Sequence, residues 1–225
     1  MKQFTKVLII GDSNCMPHYS KLKKDNILPE KIYTHLLRKK YKNFFFKEVV
    51  WGGVTTSLLI NYSINYYKKW KPDVIIVHSG VNDIKTQLFS ENTNQKIFRI
   101  FKLFNIGKKT IKDNVLYNPE YLKFLSTNKV SYLKLLEDAK RLKKFFVKSK
   151  IIWIGVHTIK KIDKSRPNTF KSVMKYNNEL KNYFKRNFID NEFKKIHFTK
   201  DGYHLNCLGH KILFQKISKL IKGLN

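Results

Sequence analysis

A short apolar run near the start of the chain constrains the fold more than any other feature. Residues 7–10 are apolar and mostly β-branched, and Gly11 follows them directly. A run of this kind that ends in glycine predicts a strand buried on both faces of a parallel sheet. Asp12 and Ser13 then stand at the carboxyl end of that strand, where ligands bind in open α/β sheets.

Strand-like and helix-like segments alternate along the rest of the chain. Apolar runs predict further strands at residues 44–50, 74–77, 151–156 and 188–189. Helical spacing of apolar residues predicts helices over residues 29–41, 55–66, 131–148, 170–187 and 206–222. In the second of these helices we expect Leu58, Leu59, Tyr62 and Tyr66 to face inward. The alternation predicts an α/β three-layer sandwich, with a central parallel sheet of about five strands flanked by helices.

One domain spanning residues 1–225 is expected, because no linker rich in glycine, serine or proline divides the chain. The segment 84–130 is long for a connection between core elements and carries apolar residues at helical spacing. We interpret it as a helical insertion, either a lid that folds over the site or a plain helical elaboration.

The chain is strongly basic, with 46 lysine and arginine residues against 16 aspartate and glutamate residues and a net charge of +30. Such a charge suits a polyanionic partner such as nucleic acid, an anionic membrane surface or a charged glycan. The lysines are spread over the whole chain, however, and abundant lysine, asparagine, isoleucine, tyrosine and phenylalanine together are typical of AT-rich coding. We therefore expect no specific nucleic-acid partner, but a weak, salt-sensitive attraction to anionic membrane surfaces or charged glycans.

Cysteine usage and hydropathy bear on the cellular compartment. Cys15 and Cys207 are the two cysteines, and no apolar stretch approaches the roughly 20 residues that span a bilayer. The amino terminus runs into the first strand without the pattern of a signal peptide. These observations predict a protein of the reducing cytoplasm.

Polar residues or glycines follow each of the predicted central strands. Gly52 and Gly53 follow the second strand, the sequence G-V-N-D at residues 80–83 follows the third, and His157 follows the fourth. Because parallel strands present their carboxyl ends at one edge of the sheet, these residues are expected to lie near Ser13.

A further polar piece, D-G-Y-H at residues 201–204, precedes the last helix. Three residues apart on a turn, Asp201 can accept a hydrogen bond from Nδ1 of His204 and leave Nε2 free to take a proton. Acyl transfer by a serine also needs donors to the carbonyl oxygen. The backbone N–H groups of Ser13 and Gly53 and the side-chain amide of Asn82 can supply them.

In combination, these pieces resemble the SGNH (GDSL-type) hydrolase family, whose four blocks carry a serine, a glycine, an asparagine and a histidine in this order. The resemblance covers residues 7 to about 215 and implies the SGNH-hydrolase (flavodoxin-like) fold. It implies that Ser13 is the nucleophile, that His204 is the general base and that Asp201 orients the histidine. The oxyanion hole implied by the resemblance consists of Ser13, Gly53 and Asn82.

Two departures from the family pattern affect individual assignments. Gly52 and Val54 flank Gly53, where the family often has a polar residue and an aspartate, so Gly52 is an alternative donor. Asn14 follows the nucleophile, where leucine or isoleucine is commoner.

The resemblance implies a serine esterase that removes small acyl groups, acetyl above all, from a carbohydrate or similar alcohol through an acyl-serine intermediate. The alternatives are an O-acyltransferase that uses the same triad on a glycan, a lipid esterase with an apolar lid at residues 84–130, and a non-catalytic polyanion-binding protein. No metal or other cofactor is expected, because the sequence has neither a metal-ligand spacing nor a dinucleotide or phosphate-loop pattern.

Several other polar residues near the strand ends are candidate substrate-binding residues: Asp12, Asn14, His18, His78 and His157. Asp83, in contrast, is expected to stabilise its own turn rather than to titrate in catalysis.

Overall fold

The computed structural model describes residues 4–19, 26–84, 86–87, 127–158, 160–164, 166–190 and 193–222. Its strands are β1 (Thr5–Gly11), β2 (Phe44–Val50), β3 (Val74–His78), β4 (Thr86–Gln87), β5 (Thr127–Asn128), β6 (Lys150–Ile154) and β7 (Phe188–Ile189). Its α-helices are α1 (Tyr33–Lys40), α2 (Thr56–Tyr67), α3 (Val81–Ile84), α4 (Tyr132–Phe145), α5 (Thr169–Phe184) and α6 (Cys207–Ile221). Within these ranges no helix has the length and apolar character needed to cross a membrane.

The central sheet has five strands, all parallel, in the order β2-β1-β3-β6-β7. This confirms the predicted parallel sheet. The chain passes from β1 to β2 on one side and then returns to β3 on the other side of β1. The carboxyl ends of β1 and β3 therefore flank the switch point of the topology, which is the usual ligand-binding crevice of such sheets.

Two helical layers cover the sheet, as the alternation predicts. Leu8 and Ile10 point to the layer formed by α2, α4 and α5, whereas Val7 and Ile9 point to the layer formed by α1 and α6. All four residues are fully buried. Burial on both faces explains why β1 is a continuous apolar run rather than an alternating one.

The prediction for the inward face of α2 is correct in part, since Leu59 is buried and Tyr62 packs against the core. Leu59, Ile60 and Ile64 are buried, whereas Leu58 is 48% exposed and Tyr66 is 68% exposed. The prediction for Leu58 and Tyr66 was wrong because apolar and aromatic residues lie around most of this helix, so that periodicity alone does not select the buried side. Tyrosine also tolerates partial exposure, since its hydroxyl is polar.

The segment 84–130, interpreted above as an insertion, lies mostly outside the described residues. Its two described ends meet, since β4 pairs with β5 in antiparallel fashion and Thr86 lies opposite Asn128. The backbone N–H of Val130 also donates to the carbonyl of Asp83 at 2.8 Å. Both ends of the segment are thus held beside the loop that follows β3.

Gly80, which follows β3, packs closely against Val156, which follows β6. Its φ is +132°, and a Cβ built on it would lie 2.5 Å from Cγ2 of Val156. A side chain at this position would combine backbone strain with a steric overlap.

We expect Gly80→Ala to lower the free energy of unfolding by about 2 kcal/mol or more, because strain and overpacking each cost roughly 1–3 kcal/mol. Urea denaturation followed by tryptophan fluorescence measures the change. Gly52→Ala is the matched control, since a Cβ there lies at ordinary distances of 3.8 Å from Sδ of Met16 and 4.0 Å from Cβ of Ser13. Equal losses in the two variants would contradict the close packing at Gly80.

Candidate active site

Ser13 lies on a tight turn that continues from β1. The backbone N–H of Asp12 donates to the carbonyl of His78 at 3.1 Å, which holds the start of the turn to β3. The carboxylate of Asp12 then accepts the backbone N–H of Asn14 at 2.9 Å, and residues Ser13–Cys15 form a 3₁₀ turn. This turn leaves Ser13 partly exposed at the carboxyl edge of the sheet.

Ser13, His204 and Asp201 form a continuous hydrogen-bonded chain. Oγ of Ser13 lies 2.9 Å from Nε2 of His204, and Nδ1 of His204 lies 2.6 Å from Oδ2 of Asp201. A carboxylate can only accept, so Nδ1 carries the proton of the neutral ring and Nε2 is free to accept the serine proton. The arrangement has the geometry that a nucleophile, a general base and an orienting carboxylate need.

Asp201 is held by donors on its second oxygen as well. Oδ1 accepts the backbone N–H groups of Tyr203 and His204, each at 3.0 Å, and the hydroxyl of Thr199 at 2.8 Å. Partial burial raises the pKa of Asp201, but the hydrogen bonds from His204 and Tyr203 together lower it well below its usual range. Asp201 is therefore an anion at neutral pH and can stabilise an imidazolium.

Thr199 was not identified from the sequence, although its place two residues before Asp201 is the spacing of a local side-chain turn. The turn that carries His204 is also tied to the sheet. Thr158, just beyond β6, donates its hydroxyl to the carbonyl of Gly202 at 3.1 Å. Gly202 has a φ of +81°, which favours glycine at this point of the turn.

The candidate oxyanion donors lie on two segments. The glycine loop, residues 52–55, follows β2, and the asparagine loop, residues 79–84, follows β3 and includes α3. Gly52 is beside Ser13, since a Cβ on it would lie 4.0 Å from Cβ of Ser13. Gly53 is exposed and has a φ of +77°. Asn82 is largely buried in α3, directly after β3. Gly52 and Gly53 both stay candidate donors, because Gly52 lies beside Ser13 and Gly53 is the next residue along the same loop.

Asp83 joins these two loops. Both of its carboxylate oxygens lie 3.1 Å from the backbone nitrogen of Thr56, and Oδ2 also accepts the hydroxyl of Thr56 at 2.8 Å. Thr56 is the first residue of α2 and stands three residues after Gly53. Asp83 therefore does more than stabilise its own turn, since it fixes the glycine loop to the asparagine loop. Burial raises the pKa of Asp83 to about 6, although the hydrogen bonds from Thr56 oppose this shift.

Of the candidate substrate-binding residues, His18 is the one that is partly exposed and contacts the ring of His204. Its ring stacks on the ring of His204, with centroids 4.6 Å apart and an angle of 23° between the planes. Backbone hydrogen bonds with Ile27 hold His18 on both sides, at 3.1 and 2.7 Å. The other candidates are buried behind the nucleophile and support the site from within: Asp12, Asn14, His78 and His157.

His78 and His157 are uncharged at neutral pH. Burial lowers the pKa of His157 to about 3, and it lowers the pKa of His78 well below its usual value. The two rings contact each other, with centroids 4.9 Å apart. Two uncharged rings can pack in this way because neither brings a buried charge to the contact.

His18, Asp201 and His204 each place one ligand atom within 4.8 Å of the others, so they are the residues that metal-ligand chemistry would use here. The positions of Asp201 and His204 suit a hydrogen-bonded triad with Ser13 better than a metal centre. Both ring nitrogens of His204 are engaged by Ser13 and Asp201. The nearly parallel rings of His18 and His204 also direct their lone pairs alongside each other rather than to one point.

Solved structures of other proteins share this fold, although their sequences differ widely from this one. No family model matches the sequence, and no curated protein matches it either. Solved structures match over almost the whole chain. A lipase/acylhydrolase from Enterococcus faecalis superimposes with a TM-score of 0.64 at 15% identity, covering 98% of this chain and 96% of that one.

Two further structures agree. A GDSL-like lipase from Bacteroides thetaiotaomicron has a TM-score of 0.58 at 16% identity, with 100% of this chain and 91% of that chain covered. An acetyl xylan esterase from Geobacillus stearothermophilus has a TM-score of 0.58 at 18% identity, with 99% and 97% covered. This chain therefore has the fold of the GDSL/SGNH lipases and esterases, as the resemblance of its motifs implied.

The raised pKa of Asp83 predicts a specific pH dependence of stability. Below about pH 6 the folded protein protonates Asp83, whereas the unfolded chain does so only near the ordinary value of 3.8. Wild-type stability relative to Asp83→Asn should therefore increase as the pH falls from 7 to 4, by about 3 kcal/mol at most. Urea denaturation across this range measures the difference.

Glu137→Gln, which alters an exposed carboxylate on α4, is the matched control for the loss of one negative charge. A difference between wild type and Asp83→Asn that stays constant from pH 7 to pH 4 would show that burial does not perturb Asp83.

Proposed function

We propose that the protein is a GDSL-type serine esterase that hydrolyses small acyl esters through an acyl-serine intermediate. The observation that carries this proposal is the unbroken hydrogen-bonded chain from Ser13 through His204 to Asp201 at the carboxyl edge of the sheet. The fold shared with lipases and esterases agrees with it.

The first half of the reaction transfers the acyl group to the protein. His204 accepts the proton of Ser13 while Oγ attacks the ester carbonyl carbon. The backbone N–H groups of Ser13 and Gly53 and the side-chain amide of Asn82 donate to the oxyanion as it forms. The imidazolium of His204, stabilised by Asp201, then protonates the departing alcohol and leaves an acyl-serine.

In the second half, His204 accepts a proton from water as the water oxygen attacks the acyl-serine carbonyl. Collapse of the second tetrahedral intermediate releases the carboxylic acid, and His204 returns the proton to Ser13. An acceptor hydroxyl in place of water would make the same machinery an O-acyltransferase.

For the alcohol of the substrate we propose a carbohydrate. Support comes from a row of aromatic side chains that begins beside the glycine loop. The ring centroids of Trp51 and Tyr62 are 4.7 Å apart, and those of Tyr62 and Tyr66 are 4.2 Å apart. Trp51 is 38% exposed and Tyr66 is 68% exposed, so the row offers apolar ring surface to the C–H faces of sugars.

The acyl group that we propose is acetyl. An acetyl xylan esterase is among the structures with the same fold, which favours a small acyl group on a glycan. The net charge of +30 further favours weak attraction to glycans or surfaces that carry negative charge, and this attraction should weaken with salt.

We expect Ser13→Ala to abolish hydrolysis of p-nitrophenyl acetate and labelling by a fluorophosphonate probe, because both reactions need the serine oxygen. Asp201→Asn should lower kcat by a factor on the order of 10⁴, since the amide favours the wrong tautomer of His204. Ser172→Ala, on α5, is the matched control. Circular dichroism checks the fold of each variant, and undiminished turnover by Ser13→Ala would refute the nucleophile.

The aromatic row predicts a difference between two substrates. Trp51→Ala and Tyr66→Ala should lower kcat/KM for an acetylated xylo-oligosaccharide more than for p-nitrophenyl acetate. The additional loss should reach up to about tenfold, because one aromatic contact contributes roughly 0.5–1.5 kcal/mol. Phe45→Ala is the control, since Phe45 is an exposed aromatic residue at the opposite end of the sheet. Equal losses on the two substrates would argue against a sugar-binding row.

Product analysis separates the alternatives in the same experiment. Free acetate as the main product, with or without an added glycan acceptor, supports the esterase. Acylated acceptor in excess of free acetate would instead make the protein a transferase, and activity confined to long-chain esters would make it a lipid esterase.

A further inference from the structure

We propose that Asn14 is a positioning residue. Its buried carboxamide joins the turn of Ser13 (residues 12–15, the nucleophile turn) to the loop of His204 (residues 199–206, the base loop) and to His157. The inference rests on the proposed esterase function for its catalytic consequence. Its structural content can be tested without activity.

The carboxamide of Asn14 is enclosed and bonded on both of its ends. The residue is 2% exposed. Its backbone N–H and its side-chain Nδ2 both donate to Oδ1 of Asp12, at 2.9 and 3.4 Å. Its Oδ1 lies 3.3 Å from the backbone nitrogen of Leu205 and 3.3 Å from Nε2 of His157.

These partners determine which way the amide faces. A backbone N–H can only donate, so the atom that faces Leu205 is the oxygen of Asn14. The amide nitrogen then faces the carboxylate of Asp12, which can only accept. Since Oδ1 accepts, His157 must carry its proton on Nε2. Asn14 thus receives two hydrogen bonds, one from Leu205 and one from an uncharged His157.

The position of this contact gives it a role in catalysis. Asn14 follows Ser13 and Leu205 follows His204, so the bond from Leu205 to Asn14 is adjacent to the bond between the two reacting side chains. Both contacts join residues 191 positions apart in the chain. Leu205 is fully buried, and its backbone pairs with Phe198. The contact therefore fixes the backbone next to His204 at a set distance from the nucleophile turn.

The contact depends on the identity of residue 14. Leucine or isoleucine, common after the nucleophile in the family that the sequence resembles, has no acceptor for Leu205 or His157. Asn14→Leu would leave both N–H groups buried without a partner. The protein would satisfy these two N–H groups by moving the loop of His204 or by admitting a water molecule. We expect either change to displace His204.

We expect Asn14→Leu to lower kcat for p-nitrophenyl acetate about tenfold to a hundredfold with KM little changed, because small displacements of catalytic groups cost up to about 10² in rate. The rate of fluorophosphonate labelling of Ser13 should fall by a similar factor. Leu142→Ala, which removes a buried side chain of α4, controls for general destabilisation. All rates are measured well below the unfolding transition of the least stable variant.

Amide hydrogen exchange supplies a readout that a general loss of stability would not move selectively. Exchange at Leu205 should accelerate in Asn14→Leu relative to exchange at Ile76 in the centre of β3. In Leu142→Ala the ratio of the two rates should stay at the wild-type value. Asn14→Ser, whose hydroxyl is too short to reach Leu205, provides the same test if Asn14→Leu does not fold.

A double variant isolates the part played by His157. Asn14→Leu combined with His157→Leu should be no slower than Asn14→Leu alone, because His157 no longer presents a buried donor without an acceptor. Additive losses would show that the two residues act separately and would remove His157 from the proposal.

The outcomes distinguish this inference from the esterase proposal. Unchanged kcat together with unchanged exchange at Leu205 in Asn14→Leu would overturn the positioning role. Reduced kcat with unchanged exchange at Leu205 would also overturn it, since Asn14 would then act by another route. If the wild type neither hydrolyses esters nor reacts with fluorophosphonate, the esterase proposal fails, while exchange at Leu205 still decides whether Asn14 holds the loop.

Discussion

The site depends on the register of three parallel strands. Gly11 lies opposite Val50 on one side and His78 on the other. Backbone hydrogen bonds continue this register past the strand ends, from Trp51 to Gly11 and from Asp12 to His78. The nucleophile turn, the glycine loop and the asparagine loop therefore leave the sheet at one level. A shift of one residue in either pairing would move a donor by the rise of one strand residue, about 3.3 Å.

Buried polar side chains then connect the loops that the sheet has brought together. Asp83 bonds the asparagine loop to the first residue of α2, and Asn14 bonds the nucleophile turn to the base loop. Thr158 bonds the base loop to the end of β6. Each link gives a buried polar group a hydrogen-bond partner in place of water, so breaking one leaves at least one buried group short of a partner. Such links restrict the loops more strongly than apolar contacts would, because a hydrogen bond specifies both distance and direction.

The parallel sheet could be predicted because residues 7–10 and 74–77 are apolar on both faces, a pattern that few other structures produce. The buried side of α2 could be predicted only in part, because Leu58 and Tyr66 satisfy the same helical period as the residues that face the core. The bond between Asp201 and His204 is local and follows from their spacing. The contact between Ser13 and His204 joins distant residues, and only the resemblance to a family suggested it. Asp83 bonds to Thr56 and Asn14 bonds to Leu205, and both partners are distant in the chain. Neither periodicity nor local spacing predicts such contacts.

The antiparallel pairing of β4 with β5 has a consequence for how this fold can diverge. Thr86 and Asn128 lie side by side in a separate two-stranded sheet, so the described ends of the segment between them meet at a single point. Sequence between two paired ends can be shortened to a hairpin turn or exchanged for another module without displacing β3 or α4, since neither end has to move. The sequence between β4 and β5 and the site residues at the end of the central sheet are in this way separable units of variation.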